Sequence, residues 1–410
     1  MVEVTSLDHE GRGIARINGK IVFINNALPN EIVNFRPIKE KSKYIEADVT
    51  NIIKRSSKRV ENVCPYYDYC GGCNIMHMNY EEQALFKENK VKNIVGKYLN
   101  EKIKINKIIK SDNILYYRNK TTFQVKEKIG FYKKGSYEII KIDSCMISDK
   151  LINNSIKYLS KLDLRKINKI VCKTNSKDLM IVIETNDTKL NIDVIKPIAY
   201  SIYLKCNNTY HLVYGNQYIT QTLDKYNYIV GPDAFFQINL NTSLKLYEKI
   251  KQYVGKNKKV LDLYCGTGSI GIFVSETNDV TGIEINSSAI ANANKNKLLN
   301  NIDNIKFICD DSGKAIDKLN ISPDIIIVDP PRGGMNGETI KNILKFKSKT
   351  IIYVSCDPLT MVRDLNLLKN NYEICEITPF DMFPNTHHVE CITLLRLLNE
   401  ERIALYEGKI

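Results

Sequence analysis

The sequence predicts an α/β chain: a doubly wound, Rossmann-like sheet in the C-terminal half, preceded by a small OB-like β-barrel and a central α+β segment. Three observations carry this. From about residue 230, short Val/Ile/Leu runs at 260–263, 280–283, 305–308, 325–328 and 351–354 alternate with helical stretches, clearest at 287–300; such runs suit parallel strands buried on both faces. Each chemically interesting cluster follows one of those runs, at what would be the carboxyl edge of the sheet, where such folds bind ligands. The first sixty residues instead alternate apolar and polar positions around tight turns, as short barrel strands do. The expected divisions are 1–58 for the barrel, 59–230 for the central segment and 231–410 for the C-terminal domain.

The chain has 410 residues, enough for two or three cores. Its 59 Lys and Arg against 46 Asp and Glu leave a net charge of +13, which favours a polyanionic partner such as nucleic acid over small acidic metabolites. No apolar run approaches the roughly 18 residues of a membrane span, and Glu3, Asp8 and Glu10 replace the basic and apolar pattern of a leader. A cytoplasmic protein acting as a monomer, without a membrane partner, is expected. Eleven cysteines, an odd number, point to thiol chemistry or metal ligation and away from a disulfide framework.

In the barrel, 14–24 alternates around Asn18-Gly19, a pair suited to a two-residue hairpin turn. Further strands are expected at 31–35 and 44–53. Lys39, Lys41 and Lys43 are expected in one loop, and Lys54, Arg55, Lys58 and Arg59 follow the last strand; basic loops on such barrels track phosphates. This segment resembles a TRAM domain, an RNA-binding module. Asn30 stands where that family usually has glycine, and asparagine tolerates the same left-handed turn.

Cys64, Cys70 and Cys73 follow a C-x5-C-x2-C spacing, and Gly71-Gly72 permit a tight wrap around a metal. Cys145 is the next cysteine along the chain and the choice for a fourth ligand. Zinc or a [4Fe–4S] cluster would accept four thiolates. The spacing is not the C-x3-C-x2-C of radical enzymes, so a cluster held by four thiolates would be closed and structural. Beyond it, 81–98 has helical periodicity, strands are expected at 121–125, 130–133 and 179–183, and Tyr116-Tyr117-Arg118-Asn119-Lys120 mixes rings with positive charge, as base stacking with phosphate contact requires.

In the C-terminal half the first strand leads into Asp262-Leu263-Tyr264-Cys265-Gly266-Thr267-Gly268, whose glycines admit a ligand close to the backbone. Glu284 ends the second strand, at the right distance for a carboxylate on ribose hydroxyls. Asp311 follows the third and could meet an adenine. Asp329-Pro330-Pro331-Arg332 follows the fourth, and Cys356 the fifth. Neither a full G-x-G-x-x-G nor a G-x-x-x-x-G-K-[ST] is present, which argues against NAD and against nucleoside triphosphate hydrolysis. The pattern looks like the S-adenosylmethionine-dependent methyltransferases.

Position 332 is arginine, where amino-group methyltransferases typically carry an aromatic after Asp-Pro-Pro. Carbon 5 of a pyrimidine, by contrast, needs a thiolate added at carbon 6 to make it nucleophilic, and a base to remove its hydrogen after methylation. Cys356, between a strand end and the helix start at Pro358, supplies the thiol; that position is expected to lower its pKa. Glu390, at the start of a strand and flanked by apolar residues, is the expected base, with a pKa raised by desolvation. His388 is its competitor.

VLDLYCGTGS, DPPRGG, YVSCDPLT and DMFPNTHHVE, in this order, resemble the RNA 5-methyluridine methyltransferase family over nearly the whole chain. The resemblance implies Cys356 as nucleophile, Glu390 as base and a [4Fe–4S] cluster, in place of zinc, on Cys64, Cys70, Cys73 and Cys145. It implies S-adenosylmethionine contacts at Gln237 in FFQIN, Tyr264, Glu284 and Asp329, with Asp311 added. Asn385 departs from the family's Gln, His or Tyr. Barrel and cluster together resemble the 23S ribosomal branch more than the transfer-RNA branch. Two other classes compete: an iron–sulfur RNA thiolation or methylthiolation enzyme, opposed by the missing C-x3-C-x2-C, and an inert RNA-binding factor, opposed by the complete set of catalytic residue types.

Overall fold

A computed structural model describes residues 1–99, 102–313 and 321–399; the expected C-terminal limit at 410 lies outside the described residues. The amino end forms a six-stranded sheet, Val2–Glu3, Ser6–Leu7, Gly13–Ile17, Lys20–Asn25, Ile32–Glu40 and Tyr44–Lys54. Asn18 and Gly19 both take positive φ, 48° and 78°, as the two-residue hairpin requires. Asn30 is left-handed too, at 66°. Lys39 lies within a strand, opposite Glu46, so only Lys41 and Lys43 belong to the loop. The two long strands continue past the apolar segment because bulges keep them paired.

The middle of the chain builds a seven-stranded sheet in the order Ile139–Lys141, Ile129–Tyr132, Lys120–Val125, Ile167–Thr174, Leu179–Thr185, Ser201–Cys206 and Thr209–Gly215. One face is closed by helix Lys150–Leu159, whose Ile152, Ile156 and Leu159 pack on Phe123, Ile170 and Ile181. The opposite face carries lysines and tyrosines.

The C-terminal sheet runs Ile305–Cys309, Asp279–Glu284, Lys259–Leu263, Ile325–Val328, Thr350–Ser355, Glu390–Leu397, Tyr372–Phe380 and Lys104–Ile105. Its first five strands are parallel; Glu390–Leu397 is antiparallel to both neighbours. Alternate residues enter two cores. Val260, Ile327, Ile352 and Val354 face one, while Leu261, Ile326, Ile351 and Tyr353 face the other. Strand order reverses at Lys259–Leu263, which opens the crevice used by doubly wound sheets.

One expected division does not follow the packing. Helix Tyr80–Tyr98 buries Val91, Ile94 and Val95 in the C-terminal core beside Met361 and Leu365, and Lys104–Ile105 extends the C-terminal sheet. An apolar helix face needs a partner, and periodicity cannot say which of two domains supplies it. No helix among the described residues is long and apolar enough to cross a membrane.

The join is fixed by a buried ion pair. Lys87 Nζ donates to Asp381 Oδ1 at 2.5 Å and to the Phe383 carbonyl at 2.9 Å, and both charged side chains are 0% exposed. Burial lowers the Lys87 pKa, and Asp381 pulls it back. Removing one partner of such a pair strands a charge and typically costs about 3–5 kcal/mol, whereas replacing both costs far less. Lys87→Met should therefore lower the thermal midpoint strongly, and adding Asp381→Asn should recover part of the loss. Equal midpoints for single and double variants, measured by calorimetry, would contradict this coupling.

Candidate active site

The strand ends create the site. Lys259–Leu263 stops at Tyr264, which turns left-handed at φ 62°, and Gly266 and Gly268 follow at 54° and 78°. A Cβ on Gly268 would collide with the Phe307 ring, so the loop is shaped by close approach as well as by φ. Tyr264 donates its hydroxyl to Thr339 Oγ1 at 3.2 Å. Glu284 spans two loops: Oε2 accepts from the Gly266 amide at 3.2 Å and Oε1 from the Asn286 amide at 2.9 Å. Asp311 accepts from the Gly313 amide at 2.9 Å. Its charge and that of Glu284 both act on the Tyr264 phenol.

Asp329 follows Ile325–Val328, and its amide donates to the Leu263 carbonyl at 3.4 Å. Burial pushes its carboxyl up to about 7. Beneath it, Asp262 is pushed up to about 8 by burial and then by Asp329. Gln237 arrives from a different direction, on the loop before helix Leu240–Val254, where its carbonyl accepts from Asn119 Nδ2 at 2.9 Å. Tyr264, Glu284, Asp311 and Asp329 thus share one sheet edge, and Gln237 lies on a separate loop held from the central sheet.

Cys356 and Glu390 are brought near each other by strand register. Thr350 pairs with Arg396 and each step inward keeps that alignment, ending at Ser355 opposite Cys391; Cys356 and Glu390 are the residues just beyond that last pair, close enough for the Glu390 charge to act on the thiol. Asp357 caps helix Pro358–Leu368 by accepting from the Leu359 amide at 2.8 Å, and Pro358 opens the helix as expected. The thiol does not have the lowered pKa expected from that helix start. Burial, followed by the charge of Glu390, pushes it up to about 11, against the pull of Arg332. One helix end contributes only a fraction of a charge, too little to offset burial among carboxylates.

Glu390 is 5% exposed. Burial and then Asp329 raise its pKa well above the carboxylate range, with Arg332 opposing. His388 moves the other way, down to about 4, through burial and then Arg332 and Lys90, so its ring is neutral at physiological pH. Arg332 bears on all three groups, a role that sequence reasoning missed by treating it only as a non-aromatic residue. Its position directly after Asp-Pro-Pro was the signal that could have found it.

The loop leading to Glu390 is tied down along its length. Asn385 takes φ 68°, its amide donates to Gln83 Oε1 at 2.8 Å, and its Nδ2 donates to the Ile114 carbonyl at 2.7 Å. Its carbonyl accepts from the amides of Asn74 and Ile75. Tyr117 OH donates to the Pro384 carbonyl at 3.0 Å and Lys90 Nζ to that of His387 at 2.9 Å. The departure at Asn385 is therefore a complete bonding position. Tyr117 and Asn119, expected among RNA-stacking residues, are instead buried and bonded within the protein.

Cys64, Cys70, Cys73 and Cys145 line one cavity of about 240 Å³ with Tyr67, Met76 and Arg118. Asn153 fixes Cys145 by accepting from its amide at 2.7 Å and donating to its carbonyl at 3.0 Å. Burial raises the thiols of Cys64, Cys70 and Cys73, and the charge of Cys145 adds to each. Among the described residues no three such side chains are placed to hold one metal ion. The four cysteines share the lining of that one cavity.

Residues 79–397 match the family described as tRNA (uracil-5-)-methyltransferase, and residues 1–50 match the TRAM domain. An uncharacterized RNA methyltransferase of Clostridium acetobutylicum is 33% identical, with 97% of each chain covered. Another, of Caldanaerobacter subterraneus, is 34% identical, with 96% of this chain and 97% of that one covered. The crystal structure of Pyrococcus abyssi tRNA (uracil-54, C5)-methyltransferase in complex with S-adenosyl-L-homocysteine is similar at a TM-score of 0.79 and 27% identity, covering 96% of this chain and 99% of that one. The chain belongs to the tRNA (uracil-5-)-methyltransferase family, carries a TRAM domain, and is an S-adenosylmethionine-dependent RNA uracil-C5 methyltransferase.

Proposed function

We propose that the protein methylates carbon 5 of uridine in 23S ribosomal RNA, with Cys356 as nucleophile and Glu390 as general base. The observation that carries the roles is the register that brings these two residues near each other at the sheet edge. S-adenosylmethionine supplies an electrophilic methyl group on a sulfonium. Glu284 suits its ribose hydroxyls, Asp311 its adenine, and Tyr264, Asp329 and Gln237 the rest of the cofactor.

The Cys356 thiol loses its proton to water as its sulfur bonds carbon 6 of the flipped uracil, and the electron pair displaced from the ring double bond makes carbon 5 an enolate carbon. That carbon takes the methyl group, while the pair of the broken carbon–sulfur bond stays on the donor sulfur as a neutral thioether. Once carbon 5 carries the methyl group, Glu390 removes its hydrogen, the double bond re-forms and the sulfur leaves. A carboxylate of raised pKa is the stronger base for that step. Because its own pKa is raised, Cys356 is held mainly as a thiol until uridine enters, which protects it from adventitious oxidation.

The four cysteines suit a [4Fe–4S] cluster, whose four irons each take one thiolate around a volume; four thiolates leave it a structural role. Barrel and cysteine cavity together support the ribosomal substrate. A transfer-RNA substrate is the second reading, favoured by likeness along the chain to the archaeal enzyme whose name specifies tRNA uracil-54. Loss of 5-methyluridine from 23S RNA in a deletion strain supports the first reading, and loss from tRNA alone overturns it.

RNA carrying 5-fluorouridine should trap a covalent adduct, since fluorine blocks removal at carbon 5. The adduct should vanish in Cys356→Ala. In Glu390→Gln, unmodified RNA should still form the adduct and accept methyl, with turnover falling about 10²–10⁴-fold; free turnover would remove Glu390 from the mechanism. The thiol also titrates against its neighbours. A nearby carboxylate disfavours thiolate, so Glu390→Gln should shift the pH midpoint of Cys356 alkylation downward from that of the wild type. An unmoved or rising midpoint would refute the electrostatic link. Iron analysis of anaerobically purified protein should find about four irons per chain, with the visible absorbance lost in Cys73→Ser; an iron-free wild type would refute the cluster.

A further inference from the structure

The second face of the central sheet buries Met180, Val182 and Tyr203 against the C-terminal core, and beside that covered part it carries a cluster of lysines. Register sets Lys120 directly opposite Lys173 and, beyond an intervening row of Thr122, Val171 and Val182, aligns Lys169, Glu184, Lys205 and Tyr210 across four strands. Residues paired in register share a face, and like charges directly opposite destabilise a sheet. The two rows and the Pro232-Asp233 turn enclose a cavity of about 250 Å³. Glu184 serves both Lys169, at 3.9 Å, and Lys205, at 3.4 Å. Asp233 accepts from Ser288 Oγ at 2.6 Å. Lys120, Lys169 and Lys205, with Lys173 beside them, thus face two carboxylates, and Lys120 has no ion-pair partner among the described residues.

Lys173 explains part of the arrangement. It is buried and donates to the carbonyls of Gly231 and Ala234, at 2.8 Å each, holding the turn that runs on to Gln237. Burial, and then the charge of Lys120, lower its pKa to about 7, so Lys173 titrates near neutrality at the cavity floor and gains charge when an anion arrives. Lys120, Lys169 and Lys205 remain around it, and Lys205 lies 5.7 Å from the centre of the Tyr210 ring. Cations concentrated beside a ring, on a face leading toward the reaction cleft, suit a strand that brings phosphates and bases together.

We propose that this lysine face is a subsite for phosphodiester groups of the substrate RNA, holding the strand that flanks the target uridine. The proposal rests on the RNA-methylating reading above and adds a place where the chain's own like-charge repulsion is relieved by the ligand. Free phosphate or the cofactor carboxylate would share the chemistry; the phosphodiester is favoured because the lysines form two rows across the sheet and not one pocket.

The test uses the full chain, a uridine-rich single-stranded oligoribonucleotide, and Lys120→Gln and Lys169→Gln. Each variant should weaken binding several-fold at low salt and flatten the plot of log K against log salt by about 0.7 for each phosphate that no longer meets a lysine, while S-adenosylhomocysteine binding stays unchanged. Without RNA, Lys120→Gln should raise the thermal midpoint by about 1–2 °C, since repulsion is removed. An unchanged salt slope in both variants, or weaker S-adenosylhomocysteine binding, overturns the subsite. Wild-type adduct formation on 5-fluorouridine RNA separates the two claims: an adduct with unaltered slopes sinks only the subsite, and no adduct with flattened slopes sinks only the uridine chemistry.

Discussion

The site depends on one antiparallel pairing in an otherwise parallel sheet. If Glu390–Leu397 slipped by one residue against Thr350–Ser355, Cys391 would face Cys356 and the carboxylate would turn to the opposite side. Both strands are buried on both faces, with Ile351 and Leu395 in one core and Ile352 and Leu394 in the other. A slip would exchange every one of those positions, so the hydrophobic pattern that folds the sheet also keeps the proposed nucleophile and base close to each other.

Register fixes the strand, and the preceding loop must still deliver it. Asp381 to His387 is irregular backbone in a buried place, where unpaired amides and carbonyls would be costly. It is satisfied from several directions: by Gln83, Lys87 and Lys90 of one helix, by Ile114 and Tyr117, and by Asn74 and Ile75 immediately after Cys73. The cysteine-lined cavity is therefore bonded, through one residue's carbonyl, to the loop that presents the candidate base. A structural cluster of the kind proposed for that cavity would thereby bear on the loop that presents the candidate base, without any electron transfer.

What the sequence revealed and what it hid divide along a physical line. Strand-ending clusters were legible because a parallel strand needs a continuous apolar run and its carboxyl edge needs polar residues; hence Tyr264, Glu284, Asp311, Asp329 and Cys356 could be placed in order along one edge. The Asn18-Gly19 turn was legible because few residues accept positive φ. Whatever depends on which distant segment arrives was not legible. Helix Tyr80–Tyr98 has a face that periodicity detects and a partner that it does not. Tyr117 and Asn119 read as exposed RNA contacts, yet serve the buried loop and the Gln237 turn. Lys120 and Lys173 lie far apart in sequence, and only pairing shows that they oppose each other.

The error over Cys356 carries the most chemistry. A helix start and a cysteine were both visible, and a lowered pKa followed from those alone. The folded site adds Glu390, Asp329 and burial, all favouring the neutral thiol, against Arg332. The same crowding raises Glu390 and Asp329, because acids in one dry pocket resist ionising together. One environment thus makes the carboxylate a better proton acceptor and the free thiol less reactive. In the proposed reaction both are useful, because the thiolate is needed only with uridine in place, and bonding to carbon 6 moves the negative charge from sulfur to the ring's carbonyl oxygen. Attack is then favoured by the electrostatics that suppress the free thiolate, and expulsion of sulfur comes late, when Glu390 has taken a proton and its own charge is gone.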